Sequence, residues 1–217
     1  MNKHKVIIII PCYNEVKTII KVCNQTKKYG KLLVVDDCSY DGSKKKLIKQ
    51  KINHISNIKN LGYEASVIKG IKHVLKTYKD IRYIATIDAD LELSPYYIPM
   101  LIKKLEKDKC DIVIGQREKM NRISEDFLNI IFSIKYKIND PISGLKLYRT
   151  SILEKIINKI SNKKFLIDII YFSIKYNFYI KNLIVKVNKR IDNPRVGGTF
   201  FTNMKIMNIT LQFLFGK

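Results

Sequence analysis

Short apolar runs alternate along the chain with longer stretches in which apolar residues recur every three or four positions. Residues 6–10, 31–36, 83–87 and 111–115 are rich in β-branched side chains and lack polar alternation, as expected of strands covered on both faces of a parallel sheet. Between them, residues 15–29 place Val16, Ile19, Ile20, Val22 and Cys23 at helical spacing and end at Gly30. The same reading predicts helices over 43–51 and 63–78, a short strand at 54–56, and a helix that starts at Pro95 and reaches about residue 109. Strand and helix in strict alternation predict an α/β domain with a Rossmann-like, doubly wound, mostly parallel sheet.

Beyond Gly115 the alternation loosens. A helix is predicted over 125–136, a turn at Asp140-Pro141-Ile142-Ser143-Gly144, a strand over 145–148, helices over 151–160 and 165–176, and a last strand over 178–187. The rest of 117–139 reads as an exposed loop. No internal repeat, low-complexity linker or second domain is visible, and 217 residues with 46% apolar content suit one domain with its own core. In the last stretch Met204, Met207, Leu211 and Leu214 share one helical face, widened by Phe and Ile residues. Residues 200–217 are therefore expected to form an amphipathic tail that lies in a membrane interface, docks on its own core or meets a second subunit.

A formal charge of +22 raises nucleic acid or an anionic membrane as partner. Lysine supplies nearly all of this charge and is spread evenly. The arginines are few (Arg82, Arg117, Arg122, Arg149, Arg190, Arg195), whereas base readers rely on arginine forks and stacking aromatics. A basic nucleic-acid-binding module also leaves the acidic motifs below without a role, so no nucleic-acid partner is expected. Cys12, Cys23, Cys38 and Cys110 form no Cys-x-x-Cys pair and read as reduced cytosolic thiols. The basic opening leads straight into a strand that ends at Pro11, unlike a signal peptide, and no run approaches the roughly 18 to 20 apolar residues of a bilayer span.

Three acidic clusters sit where predicted strands end: Pro11-Cys12-Tyr13-Asn14-Glu15, Asp36-Asp37-Cys38-Ser39-Tyr40-Asp41-Gly42 and Asp88-Ala89-Asp90. Ligands of such sheets gather at strand ends, and like charges gathered there need a cation or a set of donors. Asp88 and Asp90, two residues apart where the chain turns, can both face a hard cation that takes phosphate oxygens as further ligands, with Glu92 as a third oxygen donor. Mg²⁺ or Mn²⁺ suits that set. Asp36 and Asp37 stand where a carboxylate accepts a base imide or ribose hydroxyl, and Tyr13 and Glu15 would hold the other side of a nucleoside. A capped turn accounts for Asp41 and Gly42.

In this order the residues resemble family 2 glycosyltransferases with the GT-A fold, a likeness that covers most of the chain. The family's Pro-x-Tyr-Asn-Glu is Pro11 to Glu15, its Asp-Asp-x-Ser-x-Asp-Gly is Asp36 to Gly42, and its Asn-x-Gly with later Ala and Gly is Asn60, Gly62, Ala65 and Gly70. Its Asp-Ala-Asp-Leu with a following proline is Asp88 to Leu91 and Pro95. Gly115-x-Arg117 and Asp140-x-x-Ser143-Gly144 with Tyr148-Arg149 resemble the dolichol-phosphate mannosyltransferase branch, which moves a sugar from a nucleotide to a polyprenyl phosphate. Asp168 and Glu92 replace that branch's usual Glu and Gln. Arg195-Val196-Gly197-Gly198-Thr199 stands where it carries Gly-x-Ser-Lys, leaving Arg195 or Arg190 to substitute for the lysine.

The resemblance implies a donor half over 1–115 and an acceptor-side subregion over 116–199. Pro11, Tyr13, Asn14, Glu15, Asp36, Asp37 and Asp88 would surround a nucleoside-diphosphate sugar, and Asp88, Asp90 and Glu92 would hold the metal. It also implies inversion by in-line attack. A dolichyl or undecaprenyl phosphate is already anionic and calls for a cation such as Arg117, whereas a glycan hydroxyl needs a carboxylate base. Asp140 is the candidate for that base and reads equally as a turn-capping aspartate. The expectation is a cytoplasmic enzyme, peripheral at the inner membrane face, with extension of a surface glycan as the alternative. A nucleotidyltransferase fits less well, because the first loop is acidic and lacks glycine.

Overall fold

The computed structural model describes residues 5–119, 123–162 and 164–189. Its strands are β1 (Val6–Cys12), β2 (Lys31–Asp36), β3 (His54–Ser56), β4 (Tyr83–Thr86), β5 (Ile112–Arg117), β6 (Lys146–Arg149) and β7 (Ile180–Val185). The helices are α1 (Ile19–Thr26), α2 (Ser43–Lys49), α3 (Tyr63–Thr77), α4 (Ile98–Lys107), α5 (Ile123–Tyr136), α6 (Thr150–Ile156) and α7 (Phe165–Lys175). The strands form one sheet in the order β3-β2-β1-β4-β6-β5-β7, parallel except for β6, which runs antiparallel to both neighbours. The chain builds outward from β1 to β3, then returns to the other side of β1 with β4. That reversal is the switch point at which such sheets bind ligands.

Alternation along the central strand divides the core. Ile7 and Ile9 pack with residues of α3, α5, α6 and α7, while Val6, Ile8 and Ile10 pack with residues of α1, α2 and α4. Both faces are covered, which is why these runs show no polar alternation.

Several boundaries differ from the periodicity, among them the end of α6 at Ile156, four residues short of expectation, and three beside the strand ends. β1 continues through Pro11 to Cys12, which pairs with Asp36. Thr18 N and Ile19 N both donate to the Glu15 carbonyl, at 3.1 and 2.9 Å, so residues 15–18 form a turn and α1 starts four residues later than expected. A 3-10 turn, Pro95–Tyr97, precedes α4, its entry held by the Ser94 side chain accepting from Tyr96 N. The direction of β6 follows from its entry: Ser143 Oγ donates to the Gly115 carbonyl at 2.7 Å, so the chain enters β6 beside the end of β5. The expected tail over 200–217, with Arg122, Arg190 and Arg195, lies outside the described residues. Among the described residues no helix is long and apolar enough to cross a membrane.

Candidate active site

The loops after β1 and β2 are zipped together. Asn14 N donates to Ser39 Oγ at 3.0 Å, Tyr40 N to Asn14 Oδ1 at 3.0 Å, Glu15 N to Ser43 Oγ at 2.9 Å and Val16 N to Asp41 Oδ2 at 2.9 Å. Asp41 also receives Ser43 N and Oγ, so one carboxylate ties α2 to the neighbouring loop. Tyr13 stands on this rim, its ring 6.1 Å from Tyr40 and edge-on to it. Burial, then the Asp36 and Glu15 charges, push the Cys12 thiol far up, so it stays protonated beneath the loops.

Asp36 and Asp37 have different surroundings. Asp37 Oδ1 accepts from Asn57 Nδ2 at 2.6 Å and Leu61 N at 2.9 Å, and its Oδ2 accepts from Gly62 N at 2.8 Å. It is thereby tied to the loop that leads into α3, where Gly62 at φ 90 makes the turn. Asp36 is fully buried, with Oδ1 accepting from Ser39 N at 3.3 Å and Oδ2 lacking a hydrogen-bond partner among the described residues.

Asp88 is half-buried as a residue, yet its Oδ1 is enclosed and has no hydrogen-bond partner among the described residues. Burial and then the Asp90 charge push its carboxyl well up, opposed by a hydrogen bond from the Tyr63 hydroxyl. Asp90 folds back so that its Oδ1 accepts from Glu92 N at 2.9 Å, across Leu91 in the left-handed region at φ 66. Behind Asp88 stands Gly144, where a β-carbon would lie 2.1 Å from Asp88 Oδ2. Only glycine leaves space for the carboxylate there.

Across the site, Arg117 at the end of β5 donates from Nε and Nη2 to the two Asp140 oxygens at 2.9 and 2.8 Å, and its backbone N reaches Oδ2 at 2.9 Å. Its Nη1 lies 3.2 Å from Glu125 Oε2 on α5. Burial opposes the guanidinium charge, but the Asp140 bond and charge, followed by Glu125, outweigh it and hold Arg117 charged. Asp140 itself sits at φ 49, its N–H donated to Asn129 Oδ1 at 2.7 Å. The fully buried Lys146 donates to the Ser143 carbonyl; burial lowers its pKa to about 8 against the nearby Asp140 and Asp88 carboxylates.

The structure thus brings Asp88, Asp90 and Glu92 into one electrostatic cluster and joins Arg117 to Asp140. Among the described residues no three His, Cys, Asp or Glu side chains form a ready metal cage, so Asp88, Asp90 and Glu92 are not one as they stand. Asp140 orients Arg117 and does not stand as an unencumbered base. Sequence reasoning missed Tyr63, Glu125 and Lys146. Tyr63 carries a signal, since it directly follows Asn60-x-Gly62; Glu125 and Lys146 carry none.

Strand ends at a switch point and an acidic pair with an enclosed, unpartnered carboxylate oxygen mark this rim as a ligand site. Residues 7–157 match the family described as Glycosyl transferase family 2, and the chain belongs to that family, as a glycosyltransferase. An uncharacterized protein of Methanocaldococcus jannaschii is 37% identical over 140 residues, which cover 59% of this chain and 61% of that protein. A UDP-N-acetylglucosamine–dolichyl-phosphate N-acetylglucosaminyltransferase of Methanococcus voltae is 26% identical over 191 residues, 73% of this chain and 74% of that protein. Glucosyl-3-phosphoglycerate synthase from Mycobacterium tuberculosis, solved with Mn²⁺, UDP-glucose and phosphoglyceric acid, superposes with a TM-score of 0.74 at 13% identity, covering 96% of this chain and 79% of that one. The likeness establishes the GT-A fold.

Proposed function

We propose that this glycosyltransferase moves a sugar from a nucleoside-diphosphate sugar to a polyprenyl phosphate at a membrane surface, with a divalent metal. The observation that carries the metal is the enclosed, unpartnered Asp88 Oδ1 beside Asp90 at the switch point. An all-oxygen pair with an orphaned lone pair fits a hard cation such as Mg²⁺ or Mn²⁺, and phosphate oxygens complete the shell. When bound, the cation offsets charge on the departing diphosphate. The synthase of like fold holds Mn²⁺ and UDP-glucose together.

The chain's own residues divide the remaining work. Tyr13 borders the base, and Asp36 Oδ2, enclosed in this conformation, accepts an N–H of the base when the rim opens to admit it. Asp37 acts one step back, by holding the loop before α3. Arg117, aimed by Asp140 and Glu125, meets the acceptor phosphate with the N–H donors left over from those three contacts. A phosphate nucleophile needs no base. The engagement of Asp140 by Arg117 favours that acceptor over a sugar hydroxyl, and the Methanococcus relative named for dolichyl phosphate supports it. For the surface, α5 exposes Phe127, Ile130 and Ile134, the last at 80%, while Leu128 and Phe132 face the core. An apolar stripe of that kind suits a lipid interface.

A panel of nucleotide sugars with Mg²⁺ or Mn²⁺, then short-chain polyprenyl phosphates and free sugar acceptors, tests the proposal. Transfer to lipid phosphate is expected, lowered about a hundredfold or more by Asp90→Asn with the fold retained. Full turnover in EDTA would sink the metal assignment. Transfer only to sugar hydroxyls would replace the acceptor.

A further inference from the structure

Lys146 is the least expected charge in the molecule. It lies in the middle of the sheet, paired with Thr86 on one side and Ile114 on the other, and is fully buried. A lysine is almost never enclosed to that degree without a charge partner, because removing an ammonium from water costs several kcal/mol. The charges around it suggest its use. Asp140, Asp88 and Glu64 favour its ammonium and Arg117 opposes it, and of these carboxylates Asp140 is already paired with Arg117. The Arg117 field reaches Asp88, but its hydrogen bonds point the other way.

Lys146 also supports the Asp88 seat mechanically. It donates to the Ser143 carbonyl while Thr86 Oγ1 donates to the Gly144 carbonyl at 2.9 Å, so both carbonyls of the turn behind Asp88 are tied down from β4 and β6. Ser143 Oγ fixes the same turn to Gly115. The ammonium and the Asp88 carboxylate therefore share one rigid unit.

Resting on the metal-dependent reading above, we propose that Lys146 is a built-in counter-cation of the Asp88 rim. It keeps the carboxylates seated when no metal is present and, by repelling a lone divalent ion, makes metal binding depend on the diphosphate that arrives with it. With Lys146 in place, the site would hold no divalent ion once the nucleoside diphosphate has gone.

The test is Mn²⁺ binding to the full chain, read by electron paramagnetic resonance of free Mn²⁺, without and with UDP. In the wild type UDP should tighten Mn²⁺ at least tenfold. Lys146→Met should bind Mn²⁺ alone at least tenfold more tightly than wild type and gain less from UDP; Lys146→Arg should behave as wild type. An unchanged or weakened Mn²⁺ affinity in folded Lys146→Met overturns the proposal. If circular dichroism shows that variant unfolded, Lys146→Gln takes its place with the same expectation, and unfolding of both makes Lys146 a folding residue and equally overturns it. A wild type in which UDP does not tighten Mn²⁺ would instead overturn the metal-dependent reading itself.

Discussion

Gly144→Ala tests how tightly the Asp88 seat is specified. A β-carbon on Gly144 would lie 2.1 Å from Asp88 Oδ2 and 2.3 Å from its Cγ and Oδ1, whereas favourable contacts between such atoms begin near 3.5 Å, so the two must part by about 1 Å or more. Gly144 is not in the left-handed region, so the methyl collision is the main perturbation. The turn is tied by Thr86 Oγ1 and by Ser143 Oγ, whereas the Asp88 carboxylate is the end of a flexible side chain held by the Tyr63 hydroxyl, so the carboxylate yields first. A displacement of about 1 Å at a reacting centre costs on the order of a hundredfold in rate, about 2.7 kcal/mol of barrier. Because the group that yields is the end of the Asp88 side chain and not backbone, the fold should lose less than the roughly 1–3 kcal/mol of core overpacking. Transfer with Mn²⁺ and the best donor of the panel should fall about a hundredfold in a variant that still melts cooperatively. Turnover within a few-fold of wild type would show that Asp88 tolerates displacement and that its seat is not part of the chemistry.

Asp37→Ala leaves Leu61 N and Gly62 N without their acceptor and Asn57 Nδ2 with Ser66 Oγ alone, so the melting temperature should drop by an amount equivalent to about 2–4 kcal/mol. Calorimetry should show weaker donor binding with less change in turnover; unaltered stability would contradict the loop-holding role. Lys146 has a folded pKa of about 8 against an ordinary 10.5, so the folded state binds fewer protons and its stability rises as pH climbs through that window. Lys146→Met should therefore melt above wild type at pH 7 and lose that advantage by about pH 10, a gap worth roughly 3 kcal/mol; a pH-independent gap would refute the buried charge. Ile130→Ser with Ile134→Ser should weaken flotation with anionic vesicles without altering donor hydrolysis, and so should removal of the residues after Thr199 if the tail shares the surface. Undiminished flotation in both would place the contact elsewhere.

Much of residues 1–115 was legible because its signals are local. Unbroken apolar runs ending in Asp or Pro-x-Tyr-Asn-Glu mark strands and loops whose geometry depends on few distant residues, and β2, β3 and α3 fall within a residue or so of expectation. Distinguishing Asp36 from Asp37 was not possible from adjacent letters. Their roles divide only when Asn57, Leu61 and Gly62 arrive from another loop. Lys146 was hidden for a related reason: between Leu145 and Leu147, a polar residue reads as the solvent face of a strand, yet β6 has a strand on either side and helices over both faces. The partnership of Glu125 with Arg117 likewise spans β5 and α5 and leaves no mark on either segment.

The position of β6 has a consequence for how the protein is made. β4 and β6 are neighbours, joined even through the Thr86–Gly144 bond across 58 residues of chain. Strands β1 to β4 can pair with one another as they leave the ribosome, but β5 cannot add to the edge of β4, because that place belongs to a strand synthesised later. Through the whole of α4, β5 and α5, the apolar edge of β4 stays open and unpaired, and such edges recruit strands from other chains. Closing this long loop is a slow, non-local step. Nascent chains that stall inside α5 should accordingly be the species that chaperones capture and that aggregates contain.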